Sequence, residues 1–181
     1  MLKALLVIFL VLAGAVGAVV AFAAVTQPNE FEVTRSRAIN ASPEQIFPLI
    51  DDLHRMNEWN PFAKGDPDMR IDYSGSQSGK GAAHAWHGGK SGEGRLEIIE
   101  SAPPSRVAMR LDMTKPIQGH NDILFTLKPA GHGTEVTWSM RGDLPLVSKV
   151  IGLFVSMDRM IGGQFEKGLA DLEVMALNAR A

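Results

Sequence analysis

The sequence predicts an α+β domain, an antiparallel sheet of about six or seven strands curved around one long C-terminal helix, with short helices after the first strand, carried behind a single transmembrane helix. Three observations carry this. An uncharged apolar run occupies the N-terminus, period-two alternation dominates the middle, and the last third changes to a spacing of three and four.

From Ala4 to Val25 the chain reads "ALLVIFLVLAGAVGAVVAFAAV", without a charge or a strongly polar group. At 1.5 Å per residue this run reaches across a hydrocarbon core of roughly 30 Å. Lys3 precedes it and "TQPNE" follows without a base, so the positive-inside rule puts the N-terminus in the cytoplasm and the domain on the exported side. The competing reading is a signal peptide cleaved near Ala21-Phe22-Ala23, which leaves the domain secreted. The run exceeds the usual signal length, which favours a retained anchor. The expected division is an anchor over 1–25, a linker over 26–30 and one domain over 31–178.

"FEVTRSRAI" (31–39) is rich in β-branched residues and predicts a strand. In "SPEQIFPLIDDL", Ser42 supplies an N-cap, Pro43 the first helical position and Gln45 the capping-box partner, with Pro48 keeping the helix short. "RMNEWNPFAKGDPD" reads as a loop, punctuated by Pro61, Gly65 and Pro67. "MRIDYSG", "GRLEIIES", "RVAMRLDM", "NDILFTLKP" and "TEVTWSM" then alternate apolar and polar residues as strands. From Val147, the residues Ile151, Phe154, Val155, Ile161, Phe165, Leu169, Leu172 and Met175 predict one amphipathic helix with a bend at Gly162-Gly163. Its apolar stripe needs the face of the sheet.

Composition narrows the function. With 181 residues, 45% of them apolar, the chain can bury one sizeable core. A formal charge of −2 gives no basic excess, which argues against nucleic-acid binding. The absence of cysteine removes thiol nucleophiles and Cys-ligated metals. No motif calls for a cofactor. "GSQSGKG" resembles a P-loop but fails its spacing and reads as a hairpin turn. "NAS" (40–42) matches a glycosylation sequon, yet Ser42 is needed as a cap.

Taken together, "INASPEQIFPLIDDLHRMNEWNPF", "GKGAAHAWHG", "GEGRLEIIESAPPSRV", "GTEVTWSMRGD" and "MDRMIGGQFEKGLADLE" resemble the START-like, or SRPBCC, superfamily with its helix-grip fold, and within it the polyketide cyclase/dehydrase-like branch. The resemblance covers roughly Phe31 to Leu177. It implies an apolar cavity between sheet and long helix, which different members use for lipid or hormone binding, ring cyclisation or chaperone contact. Relatives often carry tyrosine where this chain has His84.

The candidate residues follow. His84 and His87 are an odd number apart on a strand, so they face opposite ways and cannot share a metal; no metal site is expected. His84 and Trp86 share a face, which the resemblance turns toward the cavity. His84 then either touches a ligand or moves a proton, or is a core histidine satisfied by a neighbour. Asp158, four residues after Phe154, is expected partly buried on the stripe facing the sheet, where it pairs with His84 as an acid/base couple or with Arg159, a loop amide or water. Trp59 is expected at the cavity rim in a loop. Trp138 either lines the cavity or packs in the core. Met109, Leu111, Phe125, Leu127, Phe154 and Phe165 complete an apolar lining.

The preferred expectation is a membrane-tethered domain that binds a hydrophobic small molecule, lipid or polyketide-like. The first alternative is a cyclase or dehydratase without metal, using His84 and Asp158 for proton transfer. The second is a protein-interaction or chaperone-like module of undefined partners.

Overall fold

Residues 2–179 are described by the computed structural model. Met1, the first residue of the expected anchor, lies outside them. The uncharged apolar run from Ala4 to Val25, free of proline, forms most of the 25-residue helix α1 (Leu2–Thr26). It is long and apolar enough to cross a membrane, as a membrane anchor or a signal sequence is.

Strand β1 (Glu30–Ile39) follows, and then short helices as expected from sequence, three of them, two lying in the stretch read there as a loop. Helix α2 (Pro43–Asp51) opens on the Ser42–Gln45 capping box, Gln45 Oε1 accepting from the Ser42 amide at 3.0 Å. The stretch read as a loop folds as α3 (Leu53–Trp59) and α4 (Pro61–Lys64) because each has its own cap. Asp52 accepts from the His54 amide at 2.9 Å, and Asn60 accepts from the Phe62 amide at 3.1 Å with Pro61 at the first helical position.

Six strands then run as an antiparallel meander: β2 (Arg70–Gly75), β3 (Ala82–His87), β4 (Glu93–Ala102), β5 (Arg106–Lys115), β6 (Gly119–Ala130) and β7 (Gly133–Asp143). With β1 paired to β7, the sheet order is β1-β7-β6-β5-β4-β3-β2. The β2–β3 hairpin is closed by the "GSQSGKG" turn, in which Gly75, Gly79 and Gly81 all have positive φ.

The C-terminal helix is broken where the apolar periodicity runs straight through. Helix α5 (Leu146–Gly152) ends, Leu153 to Val155 turn, and Ser156 caps α6 (Met157–Asn178) by accepting from the Arg159 amide. Helix α6 runs unbroken through Gly162-Gly163. Gly162 serves close approach instead: a Cβ there would lie 2.1 Å from Arg35 Nη2. The bare backbone lets Arg35 of β1 lie against α6 and bind both Asp158 (2.9 Å) and Glu166 (2.7 Å), while Arg37 binds Glu173 (2.6 Å).

Helix α6 lies mainly over β1, and buries Ile161, Phe165, Leu169, Leu172 and Ala176. Helices α2 and α3 add Ile46, Leu49, Ile50, Leu53, Met56 and Trp59 to the same core.

Candidate functional site

Between the sheet, α6 and the α3–α4 segment lies a cavity of about 650 Å³, within the range that holds a small ligand. Six of the chain's nine methionines line it: Met56, Met69, Met113, Met140, Met157 and Met160. Unbranched thioether side chains repack at low cost, so this wall adapts to ligand shape. Its aromatic floor is Trp138 stacked on Phe165, ring centroids 4.0 Å apart and 11° from parallel. Gly168 makes that stack possible, because a Cβ there would sit 2.8 Å from Trp138 Cζ3.

Two polar features interrupt the apolar lining. The first centres on His84, only 5% exposed on β3. Burial, assisted by the charge of His54, pushes its pKa down from 6.5 to about 4, so the ring is neutral at pH 7. Asn57 Nδ2 donates to Tyr73 Oη at 3.0 Å and lies 3.5 Å from His84 Nδ1. An amide NH2 has two hydrogens, so it can serve both, which leaves the imidazole proton on Nε2. Tyr73 in turn stacks on the exposed His54 at 3.6 Å, linking the cavity wall to the outer surface.

The second feature fastens the rim. Asp66 is buried and its Oδ2 accepts from the amides of Lys90 (2.8 Å) and Ser91 (2.9 Å). Those bonds hold its carboxyl below the usual carboxylate range. They also tie the loop after α4 to the β3–β4 turn, where Ser91 O accepts from Trp86 Nε1 at 3.2 Å.

The sequence-derived residues fall into three groups. His84, Trp86, Leu111, Trp138 and Phe165 line the cavity, with His87 exposed on the opposite face of β3. Met109, Phe125 and Leu127 share the apolar face but are packed in the closed part of the core and do not line the cavity. Three expectations are corrected outright. Trp59 is fully buried on α3, its Nε1 donating to Leu49 O at 2.8 Å; Phe62, three residues on and partly exposed, takes the rim position. Phe154 sits in the α5–α6 turn and is 79% exposed. Asp158 is 60% exposed and bound by Arg35, whose guanidinium keeps its carboxyl below the ordinary range. It lies outside the cavity lining and forms no couple with His84.

Asn57, Tyr73, Asp66 and the methionines were not singled out from sequence. Asp66 had a faint signal, a carboxylate between Gly65 and Pro67 in a segment read as loop. The others had none, since their role depends on α3 folding over β3.

A cavity of this kind, between a curved antiparallel sheet and a long C-terminal helix, invites comparison with known proteins. The family model described as polyketide cyclase / dehydrase and lipid transport matches residues 30–174. The chain belongs to this family. No curated protein matches it. Among solved structures, a Thermus thermophilus protein, TTHA0849, is similar at 18% identity and a TM-score of 0.62, over 83% of this chain and 100% of that one. Major latex-like protein 151 from Panax ginseng is similar at 13% identity and 0.59, over 83% and 99%. The Mll3558 protein from Rhizobium loti is similar at 24% identity and 0.53, over 84% and 97%. At these identities the likeness is one of fold, and the fold is the helix grip. Membership of the family supports a domain that takes a hydrophobic ligand.

Proposed function

We propose that this protein is a membrane-anchored binding domain which holds one hydrophobic small molecule, of lipid or polyketide-like character, between the sheet and α6. The observation that carries the reading is the methionine-lined cavity on its Trp138–Phe165 floor. Such a wall favours apolar matter of variable shape over one rigid substrate. Orientation comes from few polar groups. The neutral His84 offers Nε2, and Trp138 Nε1 is a buried donor without a partner among the described residues. Retention of α1 as an anchor supplies the tether, and a 25-residue helix that is apolar from Ala4 to Val25 supports it.

The test is Leu111→Trp in the full chain, with dansyl-undecanoic acid as probe and tryptophan-sensitised dansyl emission as readout. A tryptophan at 111 intrudes into the ligand space and weakens binding by about tenfold or more, about 1.4 kcal/mol. The added indole is also an extra donor, so a fall in sensitised emission cannot come from lost donors. Unchanged affinity in Leu111→Trp overturns the cavity as the binding site.

A second reading, proton transfer in a cyclase or dehydratase, draws on one observation: His84 is held as a free base in an apolar wall, next to Asn57 and Tyr73. Asp158 has no part in it. In that case His84→Ala abolishes turnover and leaves probe affinity within a few fold, whereas a binding domain shows no turnover to lose.

A further inference from the structure

Helix α5 and the turn after it present large apolar side chains that stay exposed although α5 packs against α1. Leu146, Val147, Ile151, Phe154 and Val155 are all exposed, and α5 has no buried residue at all. Their periodicity continues the stripe of α6, yet the interruption of the helix after Gly152 turns them away from the sheet. A contiguous patch of this kind marks a contact surface.

Its position identifies the partner. Helix α5 packs against α1, and Lys149 Nζ donates to Asn29 Oδ1 at 2.6 Å just beyond the end of α1. Gln27 Oε1 approaches Gly152 from the same side. The one buried residue of α1 is Ala23, three residues before its last, Thr26. At 1.5 Å per residue, Ala23 lies about 4 to 5 Å inside the end of the helix. What packs there is at the edge of the hydrocarbon layer when α1 spans it, and an interfacial apolar face enters a bilayer to about 5 to 10 Å.

The same element borders the cavity. Leu144, Pro145 and Ser148 at the start of α5, and Met157 and Met160 at the start of α6, are cavity-lining residues. One side of this corner carries the exposed apolar patch and the other lines the cavity.

We propose that the apolar surface from Leu146 to Val155 docks on the lipid bilayer beside α1, and that the cavity takes a membrane lipid directly through the mouth this corner forms. The inference rests on the reading of α1 as an anchor and of the cavity as an apolar binding site. Entry from the bilayer spares the lipid a passage through water, whose cost grows by about 0.8 kcal/mol for each exposed methylene.

The chain has no cysteine, so single labels can be placed cleanly. Phe154→Cys and His132→Cys are each labelled with a polarity-sensitive fluorophore, nitrobenzoxadiazole, in the full chain reconstituted into phosphatidylcholine nanodiscs. His132 is exposed in the turn before β7, the far end of the strand that leads to α5. Lipid bearing a nitroxide on its acyl chain is expected to quench the label at 154 several-fold more than the label at 132. Equal and weak quenching at both sites overturns the docking.

The entry route is tested with V147S/F154S/V155S, which changes exposed residues outside the cavity lining. Loading of phosphatidylcholine with a dansyl-labelled acyl chain, followed by tryptophan-sensitised dansyl emission, is expected to slow several-fold. Affinity for dansyl-undecanoic acid added in detergent is expected to stay the same. Unchanged loading overturns the route. Absence of a dansyl-undecanoic acid signal in both proteins overturns the cavity reading instead, and leaves the quenching result to decide docking.

Discussion

His84→Gln removes the one buried imidazole among the described residues and keeps a neutral side chain able to donate and accept hydrogen bonds. In the folded chain, residue 84 binds a proton only near pH 4, because the ring is held among Tyr73, Trp86 and the apolar cavity wall. In the unfolded chain it binds one near pH 6.5. Between these values the unfolded state holds the extra proton, so stability rises with pH. The contribution is intact above pH 6.5, declines as pH falls, and is fully lost below about 4. The interval, at about 1.4 kcal/mol per pH unit, sets the loss at about 3 kcal/mol. For a chain of this size that is a drop of about 6 to 12 °C in Tm. The assay is thermal unfolding of the full chain in nonionic detergent from pH 4 to 8, with the variant's profile subtracted. Groups far from residue 84 cancel in the difference. Asp66 and Asp158, whose carboxyls are held low, lose their contributions mainly below about pH 4 and, present in both proteins, drop out of the difference. Parallel profiles for the two proteins across pH 4 to 6.5 rule out a buried imidazole that is neutral when folded.

Trp59→Ala leaves a large void beneath α3 and frees the Leu49 carbonyl, so destabilisation of about 3 to 5 kcal/mol is expected by denaturant titration. Trp59→Phe keeps most of the volume and loses the hydrogen bond, for a smaller loss of about 1 to 3 kcal/mol. Asp66→Ala releases the amides of Lys90 and Ser91, and faster hydrogen exchange in residues 88–92 is expected, with quicker release of dansyl-undecanoic acid. Arg35→Ala unties β1 from Asp158 and Glu166; the Tm falls, and by less in high salt, where exposed ion pairs are screened.

The sheet was legible because alternation is a local property: β5 places Val107, Met109, Leu111 and Met113 on one face whatever covers them. Position along that face was not legible. Met109 is buried in the closed core and Leu111 opens onto the cavity, although the sequence treats them alike. The difference comes from α2 and α3, which fill the space over one part of the sheet and leave the rest open. The helix over 147–175 misled for a related reason. Apolar periodicity records that a face is apolar, not which surface it meets, and Val147 to Val155 carry the period without facing the sheet. Asp158 could not be placed because its partner, Arg35, is 123 residues away. For Trp59 the cue was present and misread: Asp52 and Asn60 are helix caps, and two caps in succession outweigh the prolines and glycine that signalled a loop.

Whether the space between sheet and α6 holds an apolar molecule is decided by native mass spectrometry of the full chain purified from its own cells, with extraction and identification of what travels with it. Close to one hydrophobic molecule per chain is expected, and its loss in Leu111→Trp. A chain that is empty, or that carries the same molecule in the same amount with tryptophan at 111, removes the binding site from this cavity.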